Sequence, residues 1–196
     1  MNEPVAVYQL TKCRRLEIYA DESGMGGPDE DQDAGAFLVA GHRQFSVPFP
    51  GEKRGPTADQ VNAWTERGTH HRFPLEAYIH SGVVLAFSSE GNFPDRRWDV
   101  SNPVGFIFLC REEWPDEDKA RGYAAGMLKH WNDWLSGNVY GFMIEGKADP
   151  GEDLDSCWGF FGDPDPWVNG IAEHLSEKDL KRLERVHPRP KKEVPA

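Results

Sequence analysis

The chain has 196 residues, of which 38% are apolar and 28% charged, and it includes seven tryptophans and eleven phenylalanines. This composition indicates a globular domain with a core and excludes a disordered chain. The net charge of −11 disfavours direct binding of nucleic acid, because phosphate contacts require clustered lysine and arginine.

Targeting and redox signals are absent from the sequence. No stretch approaches about 18 consecutive apolar residues and the start has no signal-peptide pattern, so we expect no membrane segment. The three cysteines, Cys13, Cys110 and Cys157, lack the paired spacing of a disulfide framework. These features favour a cytoplasmic protein without structural disulfides.

The first predicted strand is the alternating stretch 16–20, which follows a loose arm or edge strand over residues 1–12. A glycine-rich turn region at 21–28 comes next. Because it carries no lysine or arginine and opens no helix, we reject a phosphate-binding loop. The acidic run 29–33 has carboxylates at alternate positions, as calcium loops do, but lacks the glycine and glutamate such loops need at positions six and twelve.

The middle of the chain alternates short apolar runs with polar loops. Thr57 and Gln60 have the spacing of a capping box and predict a short helix that ends near Gly68. His70 and His71 are adjacent rather than three or four residues apart, so they do not predict a metal site. The predicted strands of this part are 36–40, 75–79, 82–87 and 104–110, with loops at 46–56 and 88–103.

The clearest helix is predicted over 116–135. Pro115 precedes it, and acidic residues at 116–118 suit the positive end of its dipole. Apolar residues recur at steps of three and four and form one stripe: Ala120, Tyr123, Ala124, Met127, Leu128, Trp131 and Leu135. This stripe predicts a core-facing surface.

The C-terminal part contains the motif Asp155-Ser156-Cys157-Trp158-Gly159-Phe160-Phe161-Gly162. Its aromatic residues predict a core strand over 154–161, paired as a hairpin with a strand over 139–144. A short helix that begins at Asp165-Pro166-Trp167, a polar helix at 173–186 and a flexible tail at 187–196 complete the chain. We predict the α+β class in one domain, 1–186, with a mostly antiparallel sheet against one long amphipathic helix and one or two shorter helices.

Several of these pieces together resemble an uncharacterised family of small proteins encoded by bacteriophages and other mobile elements. The resemblance covers about residues 15–163. It rests on the acidic segment, the strand that ends in His42-Arg43, the stretches Tyr78-Ile79-His80-Ser81-Gly82, Trp98-Asp99, Val104-Gly105-Phe106-Ile107-Phe108 and Tyr140-Gly141-Phe142, the long helix, and the C-terminal motif. It implies a phage or plasmid setting in the bacterial cytoplasm, and it implies no catalytic residues or cofactor.

The first functional hypothesis is a non-enzymatic accessory protein that binds a host or defence protein with a basic surface. Two segments, 21–33 and 149–165, hold six acids each and no lysine or arginine. A negative surface of this kind favours a basic partner, such as one that normally binds nucleic acid. The predicted binding residues are Asp29, Glu30, Asp31, Asp33, Asp149, Glu152, Asp153, Asp155 and Trp158.

Two alternatives remain open at this point. Carboxylate and imidazole groups at predicted strand ends could perform acid–base or metal-dependent hydrolysis. The candidate catalytic residues are then Asp21, Glu22, His42, His80 and Asp155. A small-ligand sponge is the third hypothesis, because the aromatic residues near Trp158 could line a pocket. No metal site or cofactor is predicted, and the sequence does not specify an oligomeric state.

Overall fold

The computed structural model describes residues 3–22, 28, 35–94, 99–147 and 154–190. The chain divides into two compact units: Met1–Met25 with Gly137–Ala196 forms the first, and Gly26–Ser136 forms the second. In sequence, the second unit is thus an insertion within the first. The prediction of one domain over 1–186 requires that both units unfold together.

The described residues form nine strands, three α-helices and one 3₁₀ helix. The strands are β1 (Ala6–Thr11), β2 (Arg14–Ala20), β3 (Ala36–His42), β4 (Phe45–Val47), β5 (His70–Ile79), β6 (Val83–Phe87), β7 (Val100–Cys110), β8 (Val139–Gly146) and β9 (Ser156–Phe161). The helices are α1 (Ala58–Glu66), α2 (Glu117–Leu135), the 3₁₀ helix Ile171–His174 and α3 (Glu177–Val186).

The first unit is an antiparallel sheet in the order β1-β2-β8-β9, with a core on one of its faces. Alternate residues of β2 and β8 supply that core, among them Leu16, Ile18 and Phe142, and all three are fully buried. Ile171 of the 3₁₀ helix and Leu183 of α3 belong to the same cluster. We call this the helical face of the first sheet, and the other the second face.

A bulge in β9 sets which side chains reach each face. Tyr140 pairs with Phe160, but the next residue of β8, Gly141, pairs with Trp158, so Gly159 is the extra residue. Gly159 has a φ of 88°, which glycine adopts without the steric cost of a side chain. The bulge therefore lets Phe160 enter the core while Trp158 lies on the second face.

The second unit is an antiparallel sheet in the order β4-β3-β7-β5-β6, with a helix on each face. On one face the α2 residues Ala120, Ala124, Leu128 and Trp131 belong to the main core, together with Leu38, Leu75, Leu85 and Ile107. On the other face Val61 and Trp64 of α1 pack against the cluster of Phe37, Val39, Phe49 and Phe108. The alternation of Phe37, Leu38 and Val39 between the clusters shows that β3 is covered on both faces.

The predicted α+β class is confirmed, and the strands form two antiparallel sheets. The long helix, the capping box of α1 and the β8–β9 hairpin are also confirmed. Several boundaries differ, three of them most clearly. β7 begins at Val100 inside the predicted 88–103 loop, β4 (Phe45–Val47) overlaps the start of the predicted 46–56 loop, and β5 begins at His70 rather than at Leu75.

The C-terminal helices also differ from the prediction. Residues 165–167 form a turn rather than a helix, and the predicted helix 173–186 is a 3₁₀ helix followed by α3. Ser176 separates them because its hydroxyl caps α3 by accepting a hydrogen bond from the Asp179 N–H. In the described part of the chain, no helix has both the length and the apolar character needed to cross a bilayer.

Candidate binding surface on strand β9

The candidate catalytic residues of the first unit do not form a common site. The Asp21 N–H donates to the Val139 carbonyl at 2.8 Å, and Glu22 follows Asp21. The Asp155 carbonyl instead accepts from the Ile144 N–H at 2.8 Å. Val139 and Ile144 are five positions apart on β8, about 17 Å along an extended strand. Asp21 and Asp155 therefore lie toward opposite ends of the first sheet.

The two candidate histidines lie in the second unit, in separate turns. The Gln44 N–H donates to His42 Nδ1 at 3.2 Å in the β3–β4 turn. His80 follows β5, and its Nδ1 lies 3.3 Å from Asp99 Oδ2. Since β7 runs between β3 and β5, their backbones are about 10 Å apart. Across the described ranges, no group of three or more His, Cys, Asp or Glu side chains could hold a metal ion.

Seven of the nine predicted binding residues lie outside the described residues: Asp29, Glu30, Asp31, Asp33, Asp149, Glu152 and Asp153. The other two, Asp155 and Trp158, are described and are both exposed. Asp155 lines a cavity on the helical face, whereas Trp158 lies on the second face. They therefore belong to one edge of the sheet but not to one face.

Trp158 is held flat against the sheet. Its indole ring lies over Gly141 on β8, where a Cβ atom would overlap three ring carbons. The Tyr19 ring supports it from β2, with a centroid distance of 6.3 Å and an interplanar angle of 38°. Nevertheless 41% of the residue is exposed. An exposed tryptophan in a fixed orientation is the usual form of an interface anchor.

A polar chain beside this aromatic pair fixes Tyr19. The Tyr19 hydroxyl donates to the buried carboxylate of Glu17, which also forms an ion pair with Arg15. Arg15 NH2 in turn lies 3.1 Å from Glu145 Oε2. The hydrogen bond to Glu17, followed by burial, raises the pKa of Tyr19 to about 12. Tyr19 is thus a neutral hydrogen-bond donor at physiological pH.

The cavity on the helical face has a volume of about 220 Å³ and is lined by Arg14, Ile144, Leu154, Asp155, Leu175, Ser176 and Asp179. Its lining includes none of the aromatic residues of the C-terminal motif. Arg14 and Asp179 are 3% and 1% exposed and form a bidentate ion pair, with Nε–Oδ1 at 3.0 Å and NH2–Oδ2 at 2.6 Å.

Two opposing effects act on the pKa of Asp179. Burial alone would raise it, but hydrogen bonds from Arg14 and Arg182, together with the charge of Arg14, outweigh burial and hold it below its usual 3.8. Asp179 is therefore an anion that the fold already neutralises. A ligand would not find a free acceptor there, and we interpret the pair as structural.

Sequence analysis also missed Glu76 of β5, a carboxylate that is fully buried. Its Oε1 accepts from the Gly91 N–H at 2.9 Å, and its Oε2 accepts from the Ser89 N–H and from Asn102 Nδ2, each at 3.2 Å. These bonds tie the loop after β6 to the sheet. An acid within the apolar run 73–79 was the available sequence signal.

The charge pattern of the sequence around β9 is the most distinctive feature of the C-terminal part of the chain. Between Lys147 and Lys178 the sequence holds eight acids and no lysine or arginine. Strand β9 lies at an edge of its sheet. Two large apolar side chains are exposed there: Trp158 within the strand and Leu154 two residues before it begins. This stretch thus combines apolar contact area with a one-signed charge, which suits recognition of a basic surface.

Comparisons with protein-family models, with curated proteins and with solved structures found no match. Function is therefore inferred from the side chains themselves.

Proposed function

We propose that the protein is a non-enzymatic accessory protein that binds and modulates a protein with a basic surface. The observation that supports this most strongly is the position of Trp158. It is an exposed, fixed aromatic residue on an edge strand, within a 30-residue stretch that has eight acids and no lysine or arginine.

The physical argument has a short-range and a long-range part. Trp158 and Leu154 supply apolar area that gains free energy when a partner covers it. The negative charge of the stretch between Lys147 and Lys178 accelerates the encounter with a basic surface and disfavours acidic partners. The acidic run 29–33 has the same sign and adds to the net charge, although its position lies outside the described residues.

The resemblance to bacteriophage and mobile-element proteins suggests the setting of this binding. In that setting the partner is a host or defence protein in the bacterial cytoplasm whose basic surface normally meets nucleic acid. Covering that surface with an acidic protein would block access of nucleic acid, because both ligands compete for the same lysines and arginines.

The proposal is tested by affinity capture from a bacterial lysate with three forms of the intact protein. The first is the wild type. The second carries Asp149→Lys, Glu152→Lys and Asp153→Lys, which changes the net charge from −11 to −5. The third, a control with the same net charge, carries Glu52→Lys, Glu66→Lys and Glu112→Lys at exposed positions of the second unit.

We expect the wild type and the control to retain the same basic protein and the second form to lose it. Loss in both charge-reversed forms would mean that net charge alone drives retention. Equal retention by all three forms would contradict the proposal, because Asp149, Glu152 and Asp153 would then have no part in binding.

A further inference from the structure

We propose that Trp158 is the contact point for an arginine side chain of the partner, whose guanidinium group stacks on the exposed indole ring. This inference rests on the proposed function and adds to it the chemical group that is recognised. It follows from three observations: the orientation of the ring, the absence of a cation over it among the described residues, and the negative charge of the protein.

The orientation of the ring leaves one face for a partner. Gly141 lies directly beneath the indole, and the Tyr19 ring packs against it at 6.3 Å. Tyr19 itself is fixed because its hydroxyl donates to the buried Glu17. One ring face lies on the sheet, and 41% of the residue as a whole is exposed. A ring that is already ordered loses little conformational entropy when a ligand stacks on it.

Other tryptophans of this protein show the contact that we infer. Arg67 lies over the Trp64 ring, with Cζ at 4.6 Å from the centroid, and Arg189 lies over Trp167 at 5.8 Å. Within the described chain, no arginine or lysine occupies the equivalent position over Trp158. Trp158 is therefore an exposed tryptophan over which the described residues place no cation.

The charge of the protein selects a cation over other planar groups. A nucleobase would also stack on an indole, but its phosphates would be repelled by a protein with a net charge of −11. A guanidinium group is planar, positively charged and weakly hydrated, so it stacks on aromatic rings more readily than an ammonium group does. Arginine is thus the side chain that both stacks on the indole ring and is attracted by the negative charge of the protein.

The test uses the intact ¹⁵N-labelled protein and follows its tryptophan indole N–H signals in NMR spectra. The probe is a blocked peptide of nine arginines, and a blocked peptide of nine lysines is the comparison. The spectrum of Trp158→Phe assigns the Trp158 signal. We expect the arginine peptide to shift the Trp158 signal more than the lysine peptide does, while the signals of Trp64 and Trp167 move less.

Three variants then test the role of the ring in affinity. Trp158→Leu should weaken binding of the arginine peptide about 2- to 30-fold, the range of a cation–π contact. Trp158→Tyr should retain most of the affinity, because it keeps an aromatic face. Gly141→Ala should lower affinity with Trp158 still present, since the added Cβ displaces the ring.

The outcomes separate this inference from the proposed function. If the lysate partner is lost on charge reversal near β9 but retained by Trp158→Leu, the proposed function stands and the arginine contact is wrong. An arginine peptide that binds without moving the Trp158 signal also overturns the inference. So does a Trp158 signal that moves with protein concentration alone, because the ring would then contact a second copy of the chain.

Discussion

Arg14 and Asp179 are 165 positions apart in the chain, yet they form the best-buried ion pair among the described residues of the first unit. The pair joins β2 to α3 and lies among apolar side chains. Such a pair is costly to break, because the remaining charge stays buried without a partner. At the residue scale, therefore, the helical face depends on a few buried charges, and the second face on the packing of Trp158 over Gly141.

The Asp179→Asn variant tests the importance of this pair. It keeps the shape of the side chain but leaves Arg14 uncompensated, so we expect the free energy of unfolding at pH 7 to fall by about 3–5 kcal/mol. Chemical denaturation followed by circular dichroism measures the change. The double variant Arg14→Met with Asp179→Leu is the control and should recover much of the loss, since an apolar pair often replaces a buried ion pair.

The same carboxylate makes a prediction about pH. The pKa of Asp179 is held below 3.8 in the folded protein, so its contribution is complete at a pH above that value. The contribution is lost as the pH falls through the lower pKa of the folded state. The stability difference between wild type and Asp179→Asn should therefore be constant from pH 5 to 7 and shrink in stronger acid. A difference that grows on acidification would contradict this assignment.

At the element scale, Asn132 of α2 protects an edge of the second sheet. The Leu85 N–H donates to Asn132 Oδ1 at 2.8 Å, and Asn132 Nδ2 donates to the Leu85 carbonyl at 2.9 Å. β6 is an edge strand, whose outward backbone groups would otherwise lack a partner strand. One amide side chain thus satisfies both backbone groups of Leu85 and joins the helix to the sheet.

We expect Asn132→Ala to lower the free energy of unfolding by about 1–3 kcal/mol, because two part-buried backbone groups lose their partners. Thermal unfolding followed by circular dichroism measures this. The control is Lys129→Ala, which lies about one helical turn before Asn132. It removes an exposed ion pair between Lys129 and Asp133. Its effect should be less than about 1 kcal/mol. If the two variants unfold alike, Asn132 does not bridge helix and strand in solution.

Sequence periodicity predicted elements well and their assembly poorly. The stripe of α2 and the β8–β9 hairpin were predictable, because both depend on residues close in sequence. The division of nine strands into two sheets was not, because Arg14 of β2 pairs with Gly146 of β8 across more than 100 positions. Such pairings leave no local signal.

The grouping of candidate site residues could not be predicted for the same reason, because it depends on pairings between distant strands. Asp21, His42, His80 and Asp155 were proposed because they follow or precede strands. However, Asp21 and Asp155 lie toward opposite ends of β8, and the strand order separates His42 from His80. Trp158 was predicted as a binding residue, yet its orientation depends on the bulge at Gly159 and on Gly141 across the strand pair. A glycine pattern suggests a bulge but does not say which side chain it exposes.

At the scale of the whole molecule, each unit has its own core, and the second unit is a continuous segment. We therefore expect Gly26–Ser136, expressed alone, to unfold cooperatively on heating, as circular dichroism would show. Leu128→Ala in this segment should lower its stability by about 2–5 kcal/mol, because it opens a cavity in the main core. A segment without a cooperative transition would support a single domain over 1–186 instead.

The salt dependence of partner affinity tests the central claim most directly. Calorimetry with the purified captured partner should show that raising salt from about 0.05 M to 0.5 M weakens binding to the wild type at least roughly tenfold, because salt screens exposed charges. The form with Asp149→Lys, Glu152→Lys and Asp153→Lys should bind more weakly and respond less to salt. A wild-type affinity that is the same at both salt concentrations would contradict recognition of the partner through the acidic segment 149–165.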